Sequence, residues 1–329
     1  MLRVALGVGL LWYVLVKTGA RQAMVPFVET PWVLLVLLAG PAFGAAIEAL
    51  RLRVLFRAAG LRLGLAGAYK VVMIGTFFNF CIPGGTGGDV VKLYYLAAGN
   101  RQRGVEVATV LLLDRVLALI ALLVLVLALA SWNSGVIAQH PILMALTVTA
   151  AAGLGSVLLV MAAVGSRRIR TSRWYSTVLN VLPLRRYVER AADAAHAFRE
   201  RKRVMLEVTA MSFVGHMGAA VIFAVIGSLV VPEVAARLTA MLALMGMVAN
   251  AIPVTPGGLG VGEAAFDQLF SIVGATGAAA ILIGWRMGLI PFAVAGAVAY
   301  MAGGGRRLGG KQDAAPAVSE RAATATYGR

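Results

Sequence analysis

The chain has 329 residues, 60% of them hydrophobic and 13% charged. Soluble domains carry about 25% charge, so this balance excludes a soluble globular class and indicates an all-α polytopic membrane protein. The net charge of +16 would suggest nucleic acid in a soluble chain. Here Lys and Arg cluster between apolar runs, as the positive-inside rule requires, and no nucleic-acid partner is expected.

Runs long enough to cross a bilayer, roughly 20 residues each, are predicted at 2–17, 31–50, 105–131, 141–165, 204–231 and 278–303, about six full spans. The first apolar run, 4–16, is followed by Lys17 and Arg21 without an A-x-A site, so it reads as a span or signal anchor and not as a cleaved leader. Two further apolar regions, 65–99 and 237–275, are broken near their middles by Pro and Gly. Arg51, Arg53, Arg57 and Arg62 flank the first broken region on one side, and Arg101 and Arg103 on the other. The segment 166–203 and the start of the tail (Arg306, Arg307, Lys311) are also basic. All four segments are expected in the cytoplasm. SWNSGVIAQHP has no Lys or Arg and VPEVAAR has only Arg237, so both linkers are expected outside.

One topology meets these constraints. Both termini are expected in the cytoplasm, 65–99 is a re-entrant hairpin, or two helices with a turn at depth, that starts and ends inside, and 237–275 starts and ends outside. Lys17 and Arg21 then fall outside, against the rule. The sequence divides into a transmembrane domain, 1–305, and a polar tail, 306–329, expected to be disordered. Within 166–203, Val188, Ala191, Ala195 and Phe198 share one helical stripe. That loop either lies on the inner leaflet and holds anionic headgroups or is an ordinary basic loop. The lone cysteine, Cys81, excludes an internal disulfide, and His140, His196 and His216 lack metal-ligand spacing. No metal or cofactor is expected.

The centres of the broken regions resemble each other. One reads NFCIPGGTGGDVVK (79–92), the other NAIPVTPGGLGVGE (250–263). Each starts with Asn (Asn79, Asn250), reaches PGG-x-G (Pro83, Gly84 and Gly87; Pro256, Gly257, Gly258 and Gly260), and ends on a carboxylate (Asp89, Glu263). By the PGG alignment the two carboxylates fall one position out of register. Two such hairpins entering from opposite faces predict an inverted repeat whose discontinuous helices meet near the midplane. Pro breaks the incoming helix, and glycines such as Gly88 permit a tight turn. The outgoing half-helices, about 88–98 and 262–274, begin at depth. Their free N–H groups and positive dipole ends suit a phosphate.

Asp89 and Glu263 sit in the first turns of those half-helices. They either cap them or carry a proton, a cation or a cationic headgroup. Lys92, three residues after Asp89, pairs with it on one face or contacts a phosphate. Asp114 and Arg115 lie roughly 13–15 Å into the span at 105–131, and Arg286 lies inside the last span. Arg115 and Arg286 either bind a lipid phosphate or close salt bridges to Asp114, Asp89 or Glu263. Glu48 and Arg51 are expected near the interface, at the end of the span 31–50. His216 is expected to be a packed polar residue sooner than a proton relay.

GGTGGD is no nucleotide loop, since no GK[ST] follows and no soluble strand–loop–helix surrounds it. GLGVGE fails as a dinucleotide fingerprint for the same reason. With no nucleophile and base to assign, the protein is not expected to be an enzyme.

NFCIPGGTGGDVVK, LLLDRVLALIALL and NAIPVTPGGLGVGEAAF, in that order, resemble the lysylphosphatidylglycerol synthase transmembrane-domain family of flippase-like integral membrane proteins, over about residues 5–303. The resemblance implies a helical bundle with two re-entrant elements that moves or handles anionic lipids. The motif positions it carries over are Asn79, Pro83, Gly84, Gly87, Gly88, Asp89, Arg115, Pro253, Pro256, Gly257, Gly258, Gly260 and Glu263. Lys92 stands where many members have Arg, which keeps the charge and loses bidentate phosphate binding. The chain is expected to be a stand-alone member without the aminoacyl-transferase domain. The expected function is a flippase for an anionic phospholipid, polyprenyl-phosphate or glycolipid headgroup in the bacterial plasma (inner) membrane. The alternative is a lipid-binding accessory subunit of a glycosyltransferase or other lipid-modifying enzyme.

Overall fold

The structure is a computed structural model that describes residues 30–81, 87–100, 103–164, 201–250 and 261–302. The expected span at 2–17, residues 166–200 of the expected loop 166–203, the tail 306–329 and both Pro-Gly tips, with Pro83, Gly84, Pro253, Pro256, Gly257, Gly258 and Gly260, lie outside the described residues; Lys202 and Arg203, at the end of that loop, already belong to a long helix.

All regular structure among the described residues is helical, as a chain in lipid must satisfy every backbone group within its own segment or barrel. The helices are α1 (Trp32–Ala58), α2 (Leu65–Cys81), α3 (Gly87–Ala98), α4 (Gly104–Trp132), α5 (Ser134–Gln139), α6 (Pro141–Val164), α7 (Lys202–Val230), α8 (Ala236–Asn250), α9 (Val261–Ser271) and α10 (Ala279–Met301). Five of them, α1, α4, α6, α7 and α10, are long and apolar enough to cross a membrane, and they fall on the spans predicted there. α1 runs past its predicted end at residue 50. The chain does not surface at Arg51, which is buried against a carboxylate of α4.

The broken regions form the helix pairs α2–α3 and α8–α9, each packed on itself. α3 has 12 residues and α9 has 11, so they reach about 18 and 16 Å at 1.5 Å per residue. A hydrocarbon core of about 30 Å is beyond either. Each pair therefore returns towards the side it came from. Five described helices long enough to cross, with two hairpins too short to do so, would set α7 opposite to α1 and α10 opposite to α4.

The packing carries the same symmetry. Exchanging α1 with α7, α2 with α8, α3 with α9 and α4 with α10 preserves the pattern of neighbours. α2 lies on α10 as α8 lies on α4, and α3 lies on α4 as α9 lies on α10. The hydrophobic core is correspondingly split along the long helices. Val33 and Leu37 of α1, with Leu125 and Leu129 of α4, pack with α8 and α9. Further along α1, Ala49, Leu52 and Phe56 join Val107, Val110 and Leu113 of α4 around α2. The two hairpins thus occupy opposite ends of α1, the arrangement an inverted repeat requires.

Glycine sets the closest approach. A Cβ on Gly296 of α10 would overlap the carbonyl oxygen of Met73 in α2, and one on Gly288 would overlap that of Leu37 in α1. In lipid, helices gain by packing, and small residues let backbones meet.

Candidate functional site

The first half-site is assembled where α3 begins. Gly88 N–H donates to Asn79 Oδ1 at 2.8 Å, so a side chain of α2 satisfies one of the orphan donors of α3. Gly88 lies so close to α2 that a Cβ would overlap the Gly75 carbonyl oxygen and the Asn79 amide. The next residue, Asp89, is therefore held in the first turn against α2. One turn on, Lys92 is 3% exposed. Its stem lies on Gly75, where a Cβ would overlap Lys92 Cε.

Four charges meet here. Lys92 Nζ donates to Glu48 of α1 and stands 3.5 Å from Asp89. Arg115 of α4 donates to Asp89 and lies 3.7 Å from Glu48 Oε1. Behind them Arg51 grips Asp114 through two bonds, Nε to Oδ1 at 3.0 Å and Nη2 to Oδ2 at 2.7 Å. Glu48, Asp89 and Asp114 balance Arg51, Lys92 and Arg115, so the cluster is neutral. Buried charge in lipid is tolerable in this paired form. Exposure divides the cations: the side chain of Lys92 is 3% exposed and that of Arg115 48%. Arg115 lies roughly 16 Å along α4 from its start.

The second half-site repeats the plan with different chemistry. Glu263 is the third residue of α9, as Asp89 is of α3. Glu263 Oε1 meets Arg286 Nη1 of α10 at 2.7 Å, and both side chains are close to buried. A carboxylate opening the half-helix thus pairs with an arginine of the next span in both halves. Gly246 precedes Asn250 by four residues, as Gly75 precedes Asn79. It supports Phe266 where Gly75 supports Lys92. Phe266 then stacks on Phe270 and meets Phe223, which contacts Trp285. Asp267 Oδ1 accepts from the Ala279 N–H at 2.7 Å and so holds the start of α10 on α9.

Several sequence expectations are corrected by this geometry. Glu48 and Arg51 are not interfacial: both are drawn into the ion cluster, and Glu48 was absent from the candidate site. Its signal was a lone carboxylate in an apolar run, masked by the basic run that follows it. Asp114 pairs with Arg51 and not with Arg115 or Arg286. Asn79, Gly87, Gly88, Asp89, Lys92 and Arg115 converge at the first hairpin, and Glu263 and Arg286 at the second. Asn250 is the last residue of α8. His216 Nε2 meets the Ala118 carbonyl at 3.0 Å, a packed position between α7 and α4. Among the described residues no group of His, Cys, Asp and Glu could hold a metal ion.

Long apolar helices, paired half-length helices and balanced charges at depth define a polytopic integral membrane protein. Residues 1–299 match the family described as the lysylphosphatidylglycerol synthase TM region, and the chain belongs to that family. No curated protein and no solved structure is significantly similar to it.

Proposed function

We propose that the protein translocates a lipid with a phosphate-bearing, anionic headgroup across the bacterial inner membrane. It does so without chemistry on the lipid, and both of its termini are cytoplasmic. The observation that carries this reading is the half-exposed side chain of Arg115, set well inside α4 with its guanidinium beside the first turn of α3. A guanidinium suits a phosphate because it donates two parallel hydrogen bonds to it. Family membership supports a membrane role of this kind. Asp89 holds the guanidinium in the absence of lipid, and the phosphate takes its place.

The test uses purified protein in liposomes carrying a fluorescent phosphatidylglycerol, polyprenyl phosphate or glycolipid, with outer-leaflet probe bleached by a membrane-impermeant quencher. Protein-dependent loss of protection is the expected result for at least one lipid. Arg115→Gln should slow it by about tenfold or more, the loss of one charge-assisted contact of about 1.5–3 kcal/mol. No movement of any of the three would refute translocation. Copurification with a lipid-modifying enzyme whose activity depends on this chain would then favour the accessory role.

A further inference from the structure

The two half-sites differ at the position one turn after the carboxylate and in the exposure of their arginines. In both, a glycine of the first hairpin helix supports the residue one turn after the carboxylate. In the first half that residue is Lys92, and in the second it is Phe266. Arg115, beside the lysine, is 48% exposed, while Arg286, beside the phenylalanine, is 8% exposed. Withdrawing Arg115 leaves Glu48 and Asp89 with Lys92, whose ammonium already touches the first and stands 3.5 Å from the second.

We propose that Lys92 is a positioning residue: a fixed counter-cation that holds Glu48 and Asp89 so that Arg115 can leave them for a phosphate. This rests on the reading of Arg115 as the phosphate ligand. The lysine stays because its stem is clamped on Gly75 and its side chain is closed to solvent. The arginine moves because its side chain is half open. The carboxylate at the helix start, which would by itself repel a phosphate, is thereby screened from the site. Lys92 does not touch the lipid.

Binding can be measured apart from transport. Detergent-solubilised protein is titrated calorimetrically with dioctanoyl phosphatidylglycerol and, in parallel, with inorganic phosphate. Either titrant showing the pattern below supports the role, and the tighter one names the source of the phosphate. Lys92→Met should weaken binding by about tenfold, because two carboxylates then compete for Arg115. Lys92→Arg should bind within about threefold of wild type, and Lys92→Met with Glu48→Gln should recover to a similar level, since neutrality is restored. A lysine that served only the fold would alter thermal stability and leave the affinity of the folded fraction unchanged. Should Lys92→Met fail to fold, Gly75→Ala displaces the ammonium while keeping the charge, and it should weaken binding as well. Wild-type affinity in the folded Lys92→Met or Gly75→Ala protein, or no recovery in the double variant, would overturn the proposal. Failure of lipid movement with this binding pattern intact would remove translocation and leave the role of Lys92 standing.

Discussion

Replacing Asp114 by Asn should be among the most damaging single changes outside the hairpins. The carboxylate accepts two bonds from Arg51, at 3.0 and 2.7 Å, and the two side chains are 4% and 8% exposed. Asn keeps the shape but leaves the guanidinium buried without its charge partner, and such a loss costs about 3–5 kcal/mol. The positive charge of Arg51 would also face Arg115 and Lys92 without compensation, drawing Glu48 away from the lysine. At about 2.1 cal/mol/K per residue, the unfolding entropy of a 329-residue chain is about 0.7 kcal/mol/K, so the midpoint should fall by about 4–7 °C. The assay is thermal unfolding of the detergent-solubilised protein, followed by tryptophan fluorescence. Arg51→Met with Asp114→Leu removes both charges at similar volume and should recover most of the loss, because a buried pair contributes little beyond its own desolvation. A midpoint for Asp114→Asn within about 1 °C of wild type, or a double variant as unstable as the single one, would refute the reasoning.

Three smaller predictions follow from backbone geometry. Gly296→Ala places a Cβ onto the Met73 carbonyl, where the backbone cannot yield, and should cost about 1–3 kcal/mol or more; Gly155→Ala, in α6 with nothing near it, should be neutral or stabilising by the same thermal assay. Asn79→Ala removes the acceptor for Gly88 N–H and should cost about 1 kcal/mol, read as exchange of the Gly88 amide accelerated by about fivefold with the global midpoint little changed. Gly277 precedes α10 at φ 77°, so Gly277→Ala should lower the midpoint through about 1–2 kcal/mol of strain, and no change on substitution would show that the turn relaxes.

Much of the fold was legible because lipid leaves the chain few choices. An apolar run of about 20 residues must be a helix, and the spans 31–50, 105–131, 141–165, 204–231 and 278–303 all appear as long helices. The broken regions were legible for the complementary reason, since Pro and Gly in oil interrupt a helix at depth. Asn79 and Asp89 could be placed at a hairpin tip because their neighbours fixed the ends of α2 and α3. Glu48 could not. Its partner Lys92 is 44 residues away, and no local pattern distinguishes a carboxylate that ends a span from one that anchors an ion cluster. Arg51 was misplaced for the same reason: a basic run reads as an interface until a carboxylate from another helix draws one member inside.

What the residues alone determined is the class of protein, the helices and the two places where they break, all of which follow from local composition and the cost of bare backbone in lipid. They also put a carboxylate at the start of each half-helix and an arginine on the span after it. Tertiary structure decided which charges meet, and that one arginine side chain is half exposed while its counterpart is nearly buried. Those are contacts between segments far apart in the chain, set by the distance glycine allows between helices, by the lysine in one half and by the phenylalanine in the other.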